Sequence, residues 1–293
     1  MERKPVTILE YGAGPGELCR DILQALKKNL PLYRELRYCI IEKSAGMREK
    51  EREILHEKVS WHQQIDDIPD LTGCVLSNEL SDNFPVHLVV RADDGLKEVF
   101  VDYQNGFTEI LMPATGELKS YFEQLGVSLP EDYRAEINLD ALQWIREIAR
   151  SLIRGFVMTI DYGSAGAGLY SEKRRNGTLI CYHRHTMNDN PYQHIGQQDI
   201  TSHVNFSALV RWGNLYGLKC AGLTHQAHFL QALGLTGRLQ KMETKEPGAG
   251  ISGKAKIIHR FLMGLGTRLK VLIQQKGVVA GHLSGLQFSQ PYS

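Results

Sequence analysis

The sequence predicts a doubly wound, mostly parallel α/β sheet with an inserted hairpin and a long loop. Three observations carry that expectation. Short apolar, β-branched runs at 5–10 (PVTILE), 37–43 (RYCIIEK) and 155–163 (GFVMTIDYG) suit strands buried on both faces. Stretches of helical spacing alternate with the early strands, the order that gives parallel pairing through right-handed crossovers. The first run ends directly on glycines, YGAGPG, which force a tight turn before the next helix.

The elements follow in order. After the glycines, Leu18, Ile22 and Leu26 recur at helical spacing, with Glu17 and Asp21 early and Lys27 and Lys28 late, as the helix dipole favours. Residues 44–57 form a charge-rich helix, and VSWHQQI (59–65) and CVLSNEL (74–80) are strands three and four. Segments 86–92 and 97–104, separated by ADDG, make a hairpin. Helices are expected at 114–125 and 139–153. Residues 164–204 are polar, rich in Gly, His and Asn, and weakly periodic, which marks a functional or mobile loop. Alternation returns with a helix at 205–216, a strand at 218–223 and helices over 225–243. A connector (245–253), a helix to about 263 and a strand at 267–275 complete the pattern. The whole reads as one domain over 1–293, with insertions at about 86–153 and 164–204.

Composition narrows the function classes. A 293-residue chain with 42% hydrophobic and 23% charged residues can bury a full core. The 34 basic and 33 acidic side chains leave a net charge of +1, against the basic excess of a nucleic-acid binder. Five widely spaced cysteines without a C-x-x-C imply reduced thiols and a cytoplasm-like compartment. No apolar run is long enough to span a bilayer, so no membrane partner is expected.

Gly12, Gly14 and Gly16 lie between the first strand and first helix and let a ligand touch the backbone. Their spacing is G-x-G-x-G, not the dinucleotide G-x-G-x-x-G, and Glu17 would oppose a pyrophosphate at the helix N-terminus. A ligand without phosphate, such as S-adenosylmethionine, tolerates that acid. Glu10 can take a ligand ammonium or a bound water. Glu42 ends strand two, where nucleoside-binding α/β folds place an acid on the ribose hydroxyls. The competing readings are an ordinary strand–helix turn and an exposed strand-end glutamate.

Asn78, Glu79 and Asp82 fall where strand four leaves the sheet, in NELSDNFP (78–85). Two carboxylates three residues apart suit a cationic substrate, and a guanidinium offers the planar fork that carboxylates match. The competing reading is that Asp82 or Asn83 caps a following helix with Pro85 in its first turn.

The segments EYGAGPGEL, IIEKS, SNELSDNFPVH, TIDYG and GTLICYHRHTMNDNPYQHIGQQDITSHVNFSAL occur in this order. Together they resemble the MidA-type family, relatives of the mitochondrial complex I assembly methyltransferase. The resemblance implies the class I methyltransferase fold, S-adenosylmethionine as cofactor and protein arginine N-methylation, with a complex I subunit or another assembly partner as substrate. It implies that Gly12, Gly14, Gly16 and Glu42 match the cofactor motif. Asn78, Glu79 and Asp82 match the block after strand four, and Asp161, Tyr162 and Gly163 match a DYG. It implies a mitochondrial location in eukaryotic relatives and leaves a homo-oligomer open. Family members carry a helical segment ahead of the first strand, whereas this chain starts at the strand.

Cys181, His183, His185, Asp189, His194 and His203 invite a zinc reading, but no spacing among them is diagnostic and no metal is expected. Gln198, Asp199 and Thr201 are expected to fold the loop over a cleft, with Thr201 or Ser202 starting a turn and Asn205 capping the next helix. Two alternatives compete with an arginine methyltransferase. One is an assembly chaperone that binds S-adenosylmethionine without turnover. The other is a nicotinamide-dependent oxidoreductase, which the missing third fingerprint glycine disfavours.

Overall fold

A computed structural model describes residues 5–55, 58–184, 186–243, 253–278 and 281–289. Its strands are β1 (Val6–Tyr11), β2 (Leu36–Ile41), β3 (Val59–His62), β4 (Thr72–Asn78), β5 (His87–Ala92), β6 (Gly95–Tyr103), β7 (Phe107–Pro113), β8 (Arg134–Ile137), β9 (Arg154–Ser164), β10 (Ile180–His183), β11 (Thr186–Asn188), β12 (Asp199–Thr201), β13 (Val204–Asn205), β14 (Lys219–His225) and β15 (Leu269–Lys276). The helices named below are α1 (Glu17–Leu26), α2 (Leu30–Glu35), α3 (Ala45–Ile54), α4 (Gly116–Leu125), α5 (Leu139–Ser151) and α6 (Phe206–Leu215). Among the described residues no helix is long and apolar enough to cross a membrane.

The chain forms two compact units. The first comprises Met1–Leu80, Arg146–Asp161 and Gly213–Ser293, and the second Ser81–Ile145 and Tyr162–Trp212. The expected insertions, 86–153 and 164–204, supply most of the second unit.

The first unit is built on the sheet order β14-β15-β9-β4-β1-β2-β3. The pairs β1/β2, β2/β3, β1/β4 and β4/β9 are parallel, and β14/β15 is antiparallel. The mixed α/β, mostly parallel sheet that the sequence predicts is therefore present. Leu9, Ile40, Val75 and Val271 are fully buried, as runs covered on both faces must be. The chain passes from β1 outward to β2 and β3, then returns to place β4 on the other side of β1. That reversal is the topological switch point at which open α/β sheets bind ligands, outside the carboxyl ends of the strands.

Helix α1 covers β2 by a face one residue off the expected one. Cys19 and Leu23 are buried with Leu36, Tyr38 and Ile40, and Ile22 and Leu26 flank them. Leu18 is 39% exposed. The i, i+4 row 18–22–26 is real, but its neighbour 19–23 lies closer to the sheet normal. Strand three ends at His62, and Ile65–Asp67 is a 3-10 turn. The short α2 went unforeseen; Asn29 caps it through a hydrogen bond from Leu32 N.

The second unit departs further from expectation. The hairpin β5/β6 is joined by β7 on one side and β8 on the other, giving an antiparallel sheet of order β7-β6-β5-β8. Residues 164–204, expected to be irregular, carry a second antiparallel sheet, β11-β10-β12. The Glu136 carboxylate on β8 accepts hydrogen bonds from Thr178 N, Thr178 Oγ1 and Leu179 N, which ties that loop to the four-stranded sheet. Tyr121 of α4 stacks on Trp212 at 5.3 Å between ring centroids. Asn205 accepts from Ala208 N at the start of α6, the expected cap, and its Nδ2 donates to the hydroxyls of Tyr121 and Tyr170. The expected connector 245–253 lies outside the described residues except for Gly253.

Candidate functional site

In the first unit the glycine turn leaves β1 at the switch point. Gly12, Gly14 and Gly16 have φ of 63°, 56° and 81°, the left-handed region that side chains rarely adopt. The turn is fixed by its own backbone: Gly12 N–H donates to Ile41 O at 3.0 Å and Gly16 N–H to Ala13 O at 2.9 Å. A Cβ at Gly12 would meet Leu80 Cδ1 at 2.9 Å, so the turn lies against the second residue after β4. A Cβ at Gly14 would meet nothing within 4 Å. The middle of the turn thus faces open space at the carboxyl ends of β1 and β4.

Two glutamates behave differently there. Glu10 is 2% exposed, and its Oε2 accepts a 2.6 Å hydrogen bond from the Tyr38 hydroxyl. Burial raises its pKa, the Tyr38 bond lowers it and the nearby Glu51 raises it. Glu42 stands at the end of β2, half-buried, and its Oε1 accepts from Ser44 N at 2.7 Å. Sequence reasoning missed Tyr38 and Glu51. Glu51 of α3 is fully buried; its Oε2 accepts from Trp61 Nε1 at 2.6 Å and its Oε1 has no hydrogen-bond partner among the described residues. Its Cα lies 3.8 Å from where a Gly16 Cβ would stand, so this acid sits directly behind the turn. The charge-rich pattern of 44–57 signals an exposed helix and hides it.

At the end of β4, Asn78 is half-buried and its Nδ2 donates to Glu79 Oε1 at 3.4 Å. Glu79 is exposed and has a φ of 49°. Its amide donates to Ile160 O at 2.8 Å, extending the β4/β9 ladder by one bond. Asp161 is fully buried and its Oδ2 accepts from Leu80 N at 3.3 Å. A left-handed backbone at a non-glycine residue is costly and concentrates at functional positions. Here it falls on an exposed carboxylate where β4 ends, one residue before Leu80, whose side chain lies against Gly12.

Residues 1–224 match the model of a family described as "Putative S-adenosyl-L-methionine-dependent methyltransferase". The chain belongs to that family. It is similar to a Burkholderia thailandensis protein solved with bound S-adenosyl-homocysteine, at 30% identity and a TM-score of 0.86, covering 97% of this chain and 75% of that one. The Drosophila melanogaster protein arginine methyltransferase NDUFAF7 homolog, mitochondrial, is 24% identical over 95% of this chain and 69% of its own length. The human protein arginine methyltransferase NDUFAF7, mitochondrial, is 27% identical over 64% of this chain and 41% of its own length. The chain thus spans less than half of the human relative it matches.

The methyltransferase family's cofactor, S-adenosylmethionine, fits the residues present. A nucleoside can lie against the open Gly14 backbone, and Glu42 keeps an oxygen beyond the one Ser44 uses. Glu17, which opens α1 and is exposed, sets a negative charge where a pyrophosphate would bind.

The second unit holds the other half of the 78–85 block. Ser81–Asn83 is a 3-10 turn that runs on into β5, so no helix follows for Asp82 or Asn83 to cap. Asp82 is 6% exposed; its Oδ1 accepts from Asn83 Nδ2 at 2.7 Å, and its backbone carbonyl accepts from Ser202 N. Gly163 of the DYG pairs with Val204 of β13. Gln198 bonds Asn188 and the Asn190 carbonyl. The His183 and His194 rings stack 3.9 Å apart. His185 lies outside the described residues. Among the described residues no group of three His, Cys, Asp or Glu could hold a metal ion.

Proposed function

We propose that the chain transfers a methyl group from S-adenosylmethionine to an arginine of a protein substrate. One observation carries the reading: an exposed carboxylate, Glu79, held in a left-handed conformation where β4 ends, next to Leu80, against which the glycine turn packs. The names of the fly and human relatives support the choice of arginine and of a protein substrate. The resemblance of the 77–87 and 177–209 segments to the complex I assembly methyltransferase favours a respiratory assembly partner as the substrate.

The cofactor supplies a methyl group already activated on a sulfonium. The chain has to do three things. The glycine turn and Glu42 hold the nucleoside. Glu79 accepts hydrogen bonds from the guanidinium N–H groups, orients the attacking nitrogen toward the methyl and takes the proton that nitrogen gives up, since a side chain with a pKa above about 12 offers no free lone pair unaided. Its negative charge also offsets the repulsion between two cations brought close together.

The test is a mass-spectrometric survey of methylarginine in a strain deleted for this protein, complemented with the wild type or with Glu79→Gln. The expected result is a peptide whose arginine methylation disappears on deletion and returns only with the wild type. A deletion that leaves every methylarginine in place overturns the reading. If Glu79→Gln repairs the strain without restoring methylation, the chain acts as a cofactor-bound assembly chaperone.

A further inference from the structure

The second unit carries a groove of about 450 Å³ that methyl transfer alone does not require. Among the described residues its lining includes two carboxylates, Asp82 and Glu98, and neither lysine nor arginine. The Glu98 side chain is 10% exposed, and its Oε1 lies 2.6 Å from His87 Nδ1. Between these polar groups the walls are apolar, from Val86, Val101, Pro191 and Ile200 among others. Acids among the lining of a largely apolar groove suit a ligand with a cationic group and hydrocarbon on either side.

The groove does not end at its own walls. Tyr192, which lines it, stacks on Phe107 of β7 at 5.7 Å, and Phe107 meets Tyr103 of β6 edge-on at 5.3 Å. Cross-strand pairing puts Val101, Tyr103, Phe107 and Leu111 on one face of the β6/β7 hairpin, around Glu109, which faces Val101 and is held by Arg134 and the Tyr192 hydroxyl. The four apolar residues are 52%, 69%, 43% and 49% exposed. That apolar face is continuous with the groove through Val101 and extends beyond what one amino-acid side chain could cover. Strand β12, whose Ile200 and Thr201 line the other wall, is the edge of its sheet; the Asp82 carbonyl takes Ser202 N just past its end, and an extended chain can add along the rest of that edge.

We infer that the groove and the adjoining hairpin face dock an extended segment of the substrate protein, with apolar residues flanking a basic one. The basic residue follows from the protein-arginine reading above, whereas the apolar docking rests on the second unit alone. The carboxylates Asp82 and Glu98 select a cationic segment over an anionic one, and the hairpin selects apolar flanks over polar ones.

Three fluorescein-labelled peptides test this on the full chain saturated with S-adenosyl-homocysteine: an arginine flanked by leucines, an arginine flanked by glycines, and a glutamate flanked by leucines. Fluorescence anisotropy should show the leucine-flanked arginine peptide bound at least about tenfold more tightly than the other two. Val101→Asp, at an exposed position, should erase that advantage and leave S-adenosyl-homocysteine affinity unchanged by calorimetry. Equal affinity for the leucine- and glycine-flanked arginine peptides, or an unaffected Val101→Asp variant, overturns the docking surface. So does sedimentation showing a wild-type dimer that Val101→Asp dissolves, because the face then joins two copies of the chain. If the leucine-flanked peptide binds but gains no methylarginine with S-adenosylmethionine, the docking stands and the arginine reading falls. If it does not bind while deletion of the protein removes a methylarginine, the activity stands and the docking falls.

Discussion

The Tyr38 hydroxyl donates a 2.6 Å hydrogen bond to the Glu10 carboxylate between the adjacent parallel strands β1 and β2. Desolvation raises the Glu10 pKa despite that bond. A carboxyl raised in the folded state binds its proton more tightly there than in the unfolded chain. Its contribution is therefore favourable on the acid side and is lost as pH climbs through the folded value. Glu10→Gln keeps an acceptor for Tyr38 and cannot ionise. Urea unfolding at pH 5 and pH 8 should show the variant gaining on the wild type at the higher pH, and parallel pH slopes would refute this.

Tyr38→Phe strips the donor from the same pair and leaves the buried carboxyl with one bond fewer. A loss of about 1–3 kcal/mol in unfolding free energy is expected. Equal stability of Tyr38→Phe and wild type would mean that water replaces the hydroxyl.

Gly14→Val fills the open space beside the turn and forces a branched side chain to a φ of 56°. The backbone strain should cost about 1–3 kcal/mol, so the protein still folds. Calorimetry should find no S-adenosyl-homocysteine binding. Retained micromolar binding would place the cofactor elsewhere.

Glu42→Ala should weaken S-adenosyl-homocysteine binding at least about tenfold, because hydrogen bonds to a charged group are worth about 1.5–3 kcal/mol each. Loss of the Ser44 bond could loosen the start of α3, so circular dichroism of the variant is the control. An unchanged dissociation constant would assign the ribose contact to another group.

Glu79→Gln keeps the shape and removes the charge. Methyl transfer to a verified substrate should fall by about 100- to 1000-fold while cofactor affinity holds. Asp82→Asn, at the groove, should instead raise the substrate concentration needed. A Glu79→Gln enzyme with wild-type turnover would reduce this carboxylate to a feature of the strand end.

How much of this the residues announce varies by element. Buried parallel strands are written almost wholly in apolar letters, so β1, β2, β4 and β9 are legible, as is the glycine turn after β1. Strand β7 is not, because all seven residues of FTEILMP are exposed and no burial alternation marks them. Asn105-Gly106 before it, both at positive φ, is a hairpin signal that could have revealed it. Glu79, at its left-handed φ, hands its amide to Ile160, some eighty positions away, and no local pattern encodes that pairing. Asp82 reads as a helix cap only while the next element is unknown; β5 follows instead. Glu51 reads as solvated because its neighbours in α3 are charged, yet its own face meets Trp61 and the glycine turn.

The interleaving of the two units has a consequence for synthesis on the ribosome. The second unit is complete once Trp212 is made, whereas the first still lacks β14 and β15. Strand β9 borders β15 in the finished sheet. At roughly 5–20 residues per second, β9 therefore spends seconds as an unguarded apolar edge while the last strands are translated. A nascent chain halted in that interval should be the species most prone to aggregate and most strongly bound by holdase chaperones.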